Sequence, residues 1–111
     1  MTPEEIARTY FRRMRAGERV DDMVTDDAEL LGFGNRVTGK AAITEMYQGV
    51  QDTATPQPEI VDITTAGNRA FGEVRVALAD GSSLHVVDVF EIEDDLIKSL
   101  TYFNADYPPP A

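Results

Sequence analysis

The stretch that decides the fold is Asp80-Gly81-Ser82-Ser83-Leu84-His85-Val86-Val87-Asp88-Val89-Phe90-Glu91-Ile92. From Leu84 onward, alternate positions point to opposite sides, the period-two pattern of a β-strand. Asp80-Gly81 stands between this run and an earlier alternating run, Asn68 to Ala79, and reads as a hairpin turn. Farther out, Glu59 to Thr65 reads as a preceding strand. Asp94-Asp95 makes another tight turn and opens a last strand, Leu96 to Ala105. The spacing therefore predicts an antiparallel meander over the second half of the chain.

Toward the N-terminus the period changes to 3.6. Thr2 is placed to cap a helix, with Pro3 as its first residue and Glu5 as capping-box partner. Ile6, Ala7, Tyr10, Phe11 and Met14 follow at helical spacing, and Gly17 is a stop. A short second helix fits Glu18 to Thr25, broken by Asp26-Asp27. Ala28 to Phe33 reads as a strand ended by Gly34-Asn35. Thr38-Gly39 opens another helix, with Ala42, Ile43, Met46, Tyr47 and Val50 on one face, and Gln51 to Pro58 reads as a loop. Helices first and a meander after predict an α+β fold. A sheet curled around the first helix leaves a cavity, and such cavities take small molecules.

The 111 residues suit one domain, placed over 1–107, with a proline-rich, extended tail over 108–111. No cysteine is present and His85 is the only histidine, so no disulfide framework, thiolate nucleophile or metal site is implied, and no cofactor. Twenty acidic residues against ten basic ones give a formal net charge of -10. Such a surface repels phosphate backbones and anionic lipids, so nucleic acid and membranes are excluded as expected partners. The first residues are acidic and no apolar run is long enough to span a bilayer, so the chain reads as cytoplasmic.

Asp88 is the informative residue. It shares a strand face with Leu84, Val86, Phe90 and Ile92. A carboxylate in such a row is expensive if it points inward alone. It must be paired, protonated or at the mouth of a cavity, or else satisfied on an edge strand or at an interface. Tyr10 lies on the apolar stripe of the first helix. It is either a second polar group of the same site or a core tyrosine bonded to a backbone carbonyl. His85 faces away from Asp88, and no spacing of serines with it suggests a catalytic triad. Gly32-Phe33-Gly34 lacks the third glycine of a dinucleotide loop, and Asp21-Asp22 and Asp26-Asp27 lack the spacing of a calcium loop.

These elements, in this order, resemble a known family. Tyr10-Phe11 through Ala16-Gly17-Glu18, Asp26-Asp27-Ala28, Thr38 through Tyr47, and Val87-Asp88-Val89-Phe90-Glu91-Ile92 together are similar to the ketosteroid isomerase and SnoaL-like polyketide cyclase branch of the nuclear-transport-factor-2-like fold. The resemblance implies a cone-shaped α+β barrel, with N-terminal helices packed on a curved antiparallel or mixed sheet around a pocket. It places Tyr10 and Asp88 as the pair that binds an oxyanion in the isomerases. It also shows a departure. The isomerases' general-base aspartate falls at about Gly32, where no carboxylate stands, and Glu29 lies on the other strand face. In the cyclases one principal carboxylate works as acid and base, a part open to Asp88.

The function expected is therefore an isomerase- or cyclase-type enzyme that stabilises the enolate of a hydrophobic carbonyl compound through Tyr10 and Asp88. The expected pocket walls are Met14, Leu31, Phe33, Met46, Tyr47, Val86, Phe90 and Phe103. The missing base keeps an alternative open: a non-catalytic ligand-binding or dimerisation module of the same fold. A homodimer is expected through the sheet face that carries His85, Val87 and Val89, with Ile97, Thr101 and Phe103 beside it.

Overall fold

In the computed structural model, which describes residues 1–106, two helices pack on one six-stranded mixed sheet that does not close. Helix α1 spans Pro3–Ala16. The Glu5 backbone N–H donates to Thr2 Oγ1 at 3.1 Å, and Gly17 ends the helix in the left-handed region at φ 73°. Both ends thus follow from single local residues. The buried stripe of α1 is Ile6, Ala7, Tyr10, Phe11 and Met14, as the helical spacing predicts.

The segment after α1 departs from expectation. In place of a helix over 18–25 there is one 3-10 turn, Asp21–Met23. Arg13 ties this segment to α1 through Asp22 and the Arg19 carbonyl, and the backbone then turns into strand β1, Val24–Gly32. A helix this short cannot outweigh pairing with a neighbouring strand. Asp26-Asp27 therefore lie inside β1, at a register irregularity on its exposed stretch, instead of breaking a helix.

A strand absent from the sequence reading follows. Phe33 and Gly34 both have positive φ, 49° and 80°, and form a two-residue turn into β2, Asn35–Thr38. Helix α2 spans Lys40–Thr53, running three residues into the stretch expected to be a loop. Strands β3 (Gln57–Ala66), β4 (Arg69–Ala77), β5 (Ser83–Glu93) and β6 (Leu96–Asn104) make the predicted meander. The sheet order is β2-β1-β6-β5-β4-β3, with β1 and β6 parallel and every other pair antiparallel.

Helix α1 lies across β3, β4 and β5, and α2 lies against β1 and β2. The core forms between α1 and the concave face, centred on Phe90, Val74, Ile63, Ala70 and Leu100. No helix among the described residues is long and apolar enough to cross a membrane. The expected tail over 108–111, and the expected domain end at 107, lie outside the described residues.

Candidate functional site

Alternation along β5 turns Val86, Asp88, Phe90 and Ile92 inward, and all four are buried. Asp88 is 7% exposed and is the one charged side chain in the core among the described residues. It has no arginine or lysine partner in any described ion pair. Burial alone pushes its carboxyl up to about 7, because a low-dielectric site disfavours the charged form. Near neutral pH the group is thus divided between acid and carboxylate.

Tyr10, from α1, faces the same interior. Its hydroxyl is hydrogen-bonded to the hydroxyl of Tyr47 from α2. Burial raises both phenols above the ordinary tyrosine value, and the nearby Asp88 charge adds to the effect. Both stay protonated at neutral pH. Tyr10 and Asp88 do not bond to each other; they border a common small hollow of about 60 Å3. Phe11, Met14, Val74, Val86 and the buried Pro56 and Pro58 form its walls. A second hollow, about 50 Å3, opens between the end of α1 and α2, and Tyr47, Thr44, Gln48 and Gln51 line it. Met14 borders both hollows, so its side chain is part of the partition between them.

The other expected wall residues divide. Met14 and Val86 face the Asp88 hollow, and Tyr47 faces the second one. Met46 is half-buried against the core from α2. Phe90 is 0% exposed, its ring centroid 5.3 Å from Tyr10 and 5.5 Å from Phe11; it is packed filling behind the site rather than a free wall. Leu31 alternates with buried Leu30 and so lies on the outer face of the sheet. Phe33 stands in the β1–β2 turn, 54% exposed. Phe103 pairs in register with Val87, on the outer face, and is likewise 54% exposed. Ile97, expected outside, is buried, because the β5–β6 register shifts between Glu91 and Ile92.

Three groups of site residues escaped the sequence reading. Phe11 was visible as core but not as a pocket wall. Val74, Val76 and Pro58 reach the hollow through the pairing of β3 with β4, and Pro56 from just before β3, which no local pattern encodes. Tyr102 is the third. It is the register partner of Asp88 on β6, and it takes the inner position that Phe103 leaves. On the outer face, His85 Nδ1 meets Asp106 Oδ1 at 2.8 Å and its Nε2 meets Glu73 Oε2 at 2.7 Å. Among the described residues no three acidic or histidine side chains converge as a metal ion would require.

The profile of the SnoaL-like domain family matches residues 7–100. In sequence, the chain matches no curated protein. Several solved structures share the fold. A Sinorhizobium meliloti protein with the provisional name polyketide cyclase superposes with a TM-score of 0.82 at 22% identity, over 89% of this chain and 94% of that one. An LEH-like epoxide hydrolase of M. tuberculosis gives 0.84 at 20% identity, over 93% of this chain and 82% of the other. A Catenulispora acidiphila protein of ketosteroid isomerase-like fold, solved in complex with trimethylamine, gives 0.80 at 14% identity, over 93% and 86%. At these identities the likeness is one of fold.

Proposed function

Because the chain belongs to the SnoaL-like domain family, we propose that it binds a small hydrophobic compound bearing a carbonyl or phenolic oxygen and acts on it as an isomerase- or cyclase-type enzyme. The observation that carries this reading is Asp88: a buried carboxyl with no cation beside it, bordering a hollow, with a pKa of about 7. Buried charge without a partner is rare unless a ligand or a reaction uses it.

Tyr10 holds the ligand oxygen. In the Tyr10–Tyr47 pair one hydroxyl donates to the other, and the acceptor keeps its own proton. With Tyr47 donating, Tyr10 is free to donate into the hollow, and the chain of two hydroxyls polarises that donor. Asp88 moves the proton. Ionised, it accepts the proton of an acidic substrate carbon; protonated, it returns a proton to the product. Between these steps negative charge gathers on the substrate oxygen, and the Tyr10 hydrogen bond strengthens there. Asp88 takes both parts because the inner face of β1 carries Gly32 instead of a second carboxylate.

The test is a fluorescence titration with 2-naphthol, whose oxygen and flat rings mimic an enolate. Native protein binds saturably, Tyr10→Phe weakens binding by about 1–3 kcal/mol, the range for losing a buried hydrogen bond, and Asp88→Asn abolishes turnover of a carbon-acid substrate. Turnover that survives Asp88→Asn would end the acid–base assignment.

A second reading, a non-catalytic module of the same fold, is favoured by that absence of a second carboxylate. In either case the outer face of the sheet, with Val87, Val89 and exposed Phe103, is proposed to pair two copies of the chain.

A further inference from the structure

Four residues stand in one row across the concave face. Gly72 on β4 is in register with Asp88 on β5, Asp88 with Tyr102 on β6, and Tyr102 with Gly32 on β1. Register partners share a face, so the row reads glycine, aspartate, tyrosine, glycine. Neither glycine needs a left-handed backbone, since neither is among the residues with positive φ. What each contributes is the absence of a side chain.

Both bare positions are covered by rings. A Cβ atom at Gly72 would lie 2.9 Å from the ring of Phe11. A Cβ atom at Gly32 would lie 2.2 Å from two ring carbons of Tyr102, a separation no real contact shows. The Tyr102 ring therefore lies down on the backbone of β1, on the side away from Asp88. Phe33, the next residue after Gly32, packs on that ring with centroids 5.2 Å apart. Neither the Tyr102 hydroxyl nor the Asp88 carboxyl is hydrogen-bonded among the described residues, and since no fully buried polar side-chain atom there lacks a partner, their oxygens keep some access to solvent. Two neighbouring polar groups that could satisfy each other are kept apart.

We propose that Gly32 is a positioning residue: it berths the Tyr102 ring and so keeps that phenol off the Asp88 carboxyl, leaving the carboxyl free for the oxygen of a ligand. A side chain at position 32 evicts the ring. Displaced, the phenol swings back along the row to Asp88, its register partner, donates to it and closes the site from within. The pair 32/102 then sets whether Asp88 serves a ligand or its own chain. This inference rests on the reading of Asp88 as the ligand-contacting group.

The test compares Gly32→Ala, Tyr102→Ala and the double variant with native protein. Two quantities are read: the titration midpoint of the Asp88 carboxyl by carbon-13 NMR without ligand, and 2-naphthol affinity by fluorescence. In Gly32→Ala the midpoint falls, because a donor on the carboxylate favours its charged form, and naphthol binding weakens about tenfold. In the double variant both return to within about twofold of Tyr102→Ala alone. An unmoved midpoint in folded Gly32→Ala overturns the proposal, as does a double variant that stays as impaired as Gly32→Ala. If Gly32→Ala does not fold, the proposal requires Tyr102→Ala to restore folding to it, and failure of that restoration overturns the proposal. Native protein that fails to bind naphthol while the midpoint shifts as expected would remove the ligand reading and leave the berth standing.

Discussion

At Asp88, burial sets the folded carboxyl at about 7 against 3.8 for the unperturbed group. Between these values the folded chain keeps a proton that the unfolded chain has released. Stability therefore falls as pH rises through that window and is level above it. Asp88→Asn removes the ionisation. The variant should exceed the native protein in stability at about pH 8, by an amount on the order of 1–4 kcal/mol, and should match it near pH 3; urea unfolding at the two pH values measures both. An equal difference at the two would mean that the folded carboxyl ionises normally. His85 has the same sign, for a different cause. Hydrogen bonds to Asp106 and Glu73 raise its pKa above 6.5, so its contribution is present below that value and is lost as pH rises through the raised one. Asp88 was legible in the sequence because one charge interrupts an apolar row. Phe90, in the same row, was read as a pocket wall and is core, because the rings that cover it come from another element.

Helix α1 was legible at both ends, since Thr2 and Gly17 act on their own nearest turns. Thr2→Ala removes the side chain that accepts the Glu5 N–H, and the expected loss is about 1 kcal/mol in thermal unfolding, with the fold kept. Strand β2 was illegible for a physical reason. Its hairpin turn needs two residues in the left-handed region, a role that Asn-Gly or Asp-Gly signals, but Phe33 occupies the first place. Packing against Tyr102 accompanies that conformation, and such a contact between strands is invisible to a local pattern. The helix expected over 18–25 failed for the converse reason: Val24 takes up pairing with Ile97, far along the chain. Strand direction was also hidden. Tyr102, not Phe103, faces inward, because register is a property of the pair.

For the molecule as a whole, the outer sheet face is the proposed meeting surface of two copies. Val87 and Val89 are half-buried there, Phe103 is exposed, and Phe71 is the register partner of Val89. Light scattering at micromolar concentration should give twice the mass of the chain. Phe103→Asp should give the mass of one chain with an unchanged circular dichroism spectrum. A native monomer would remove this face from consideration as an interface. The sheet order has a different consequence. Strand β6 lies between β1 and β5, so the last of these six strands to be made joins the N-terminal hairpin to the meander. On a ribosome, a nascent chain that has emerged only as far as β5 carries two fragments of sheet with no seam between them, each with an open edge. The concave face, and the row of residues on it, is assembled only once β6 has been made.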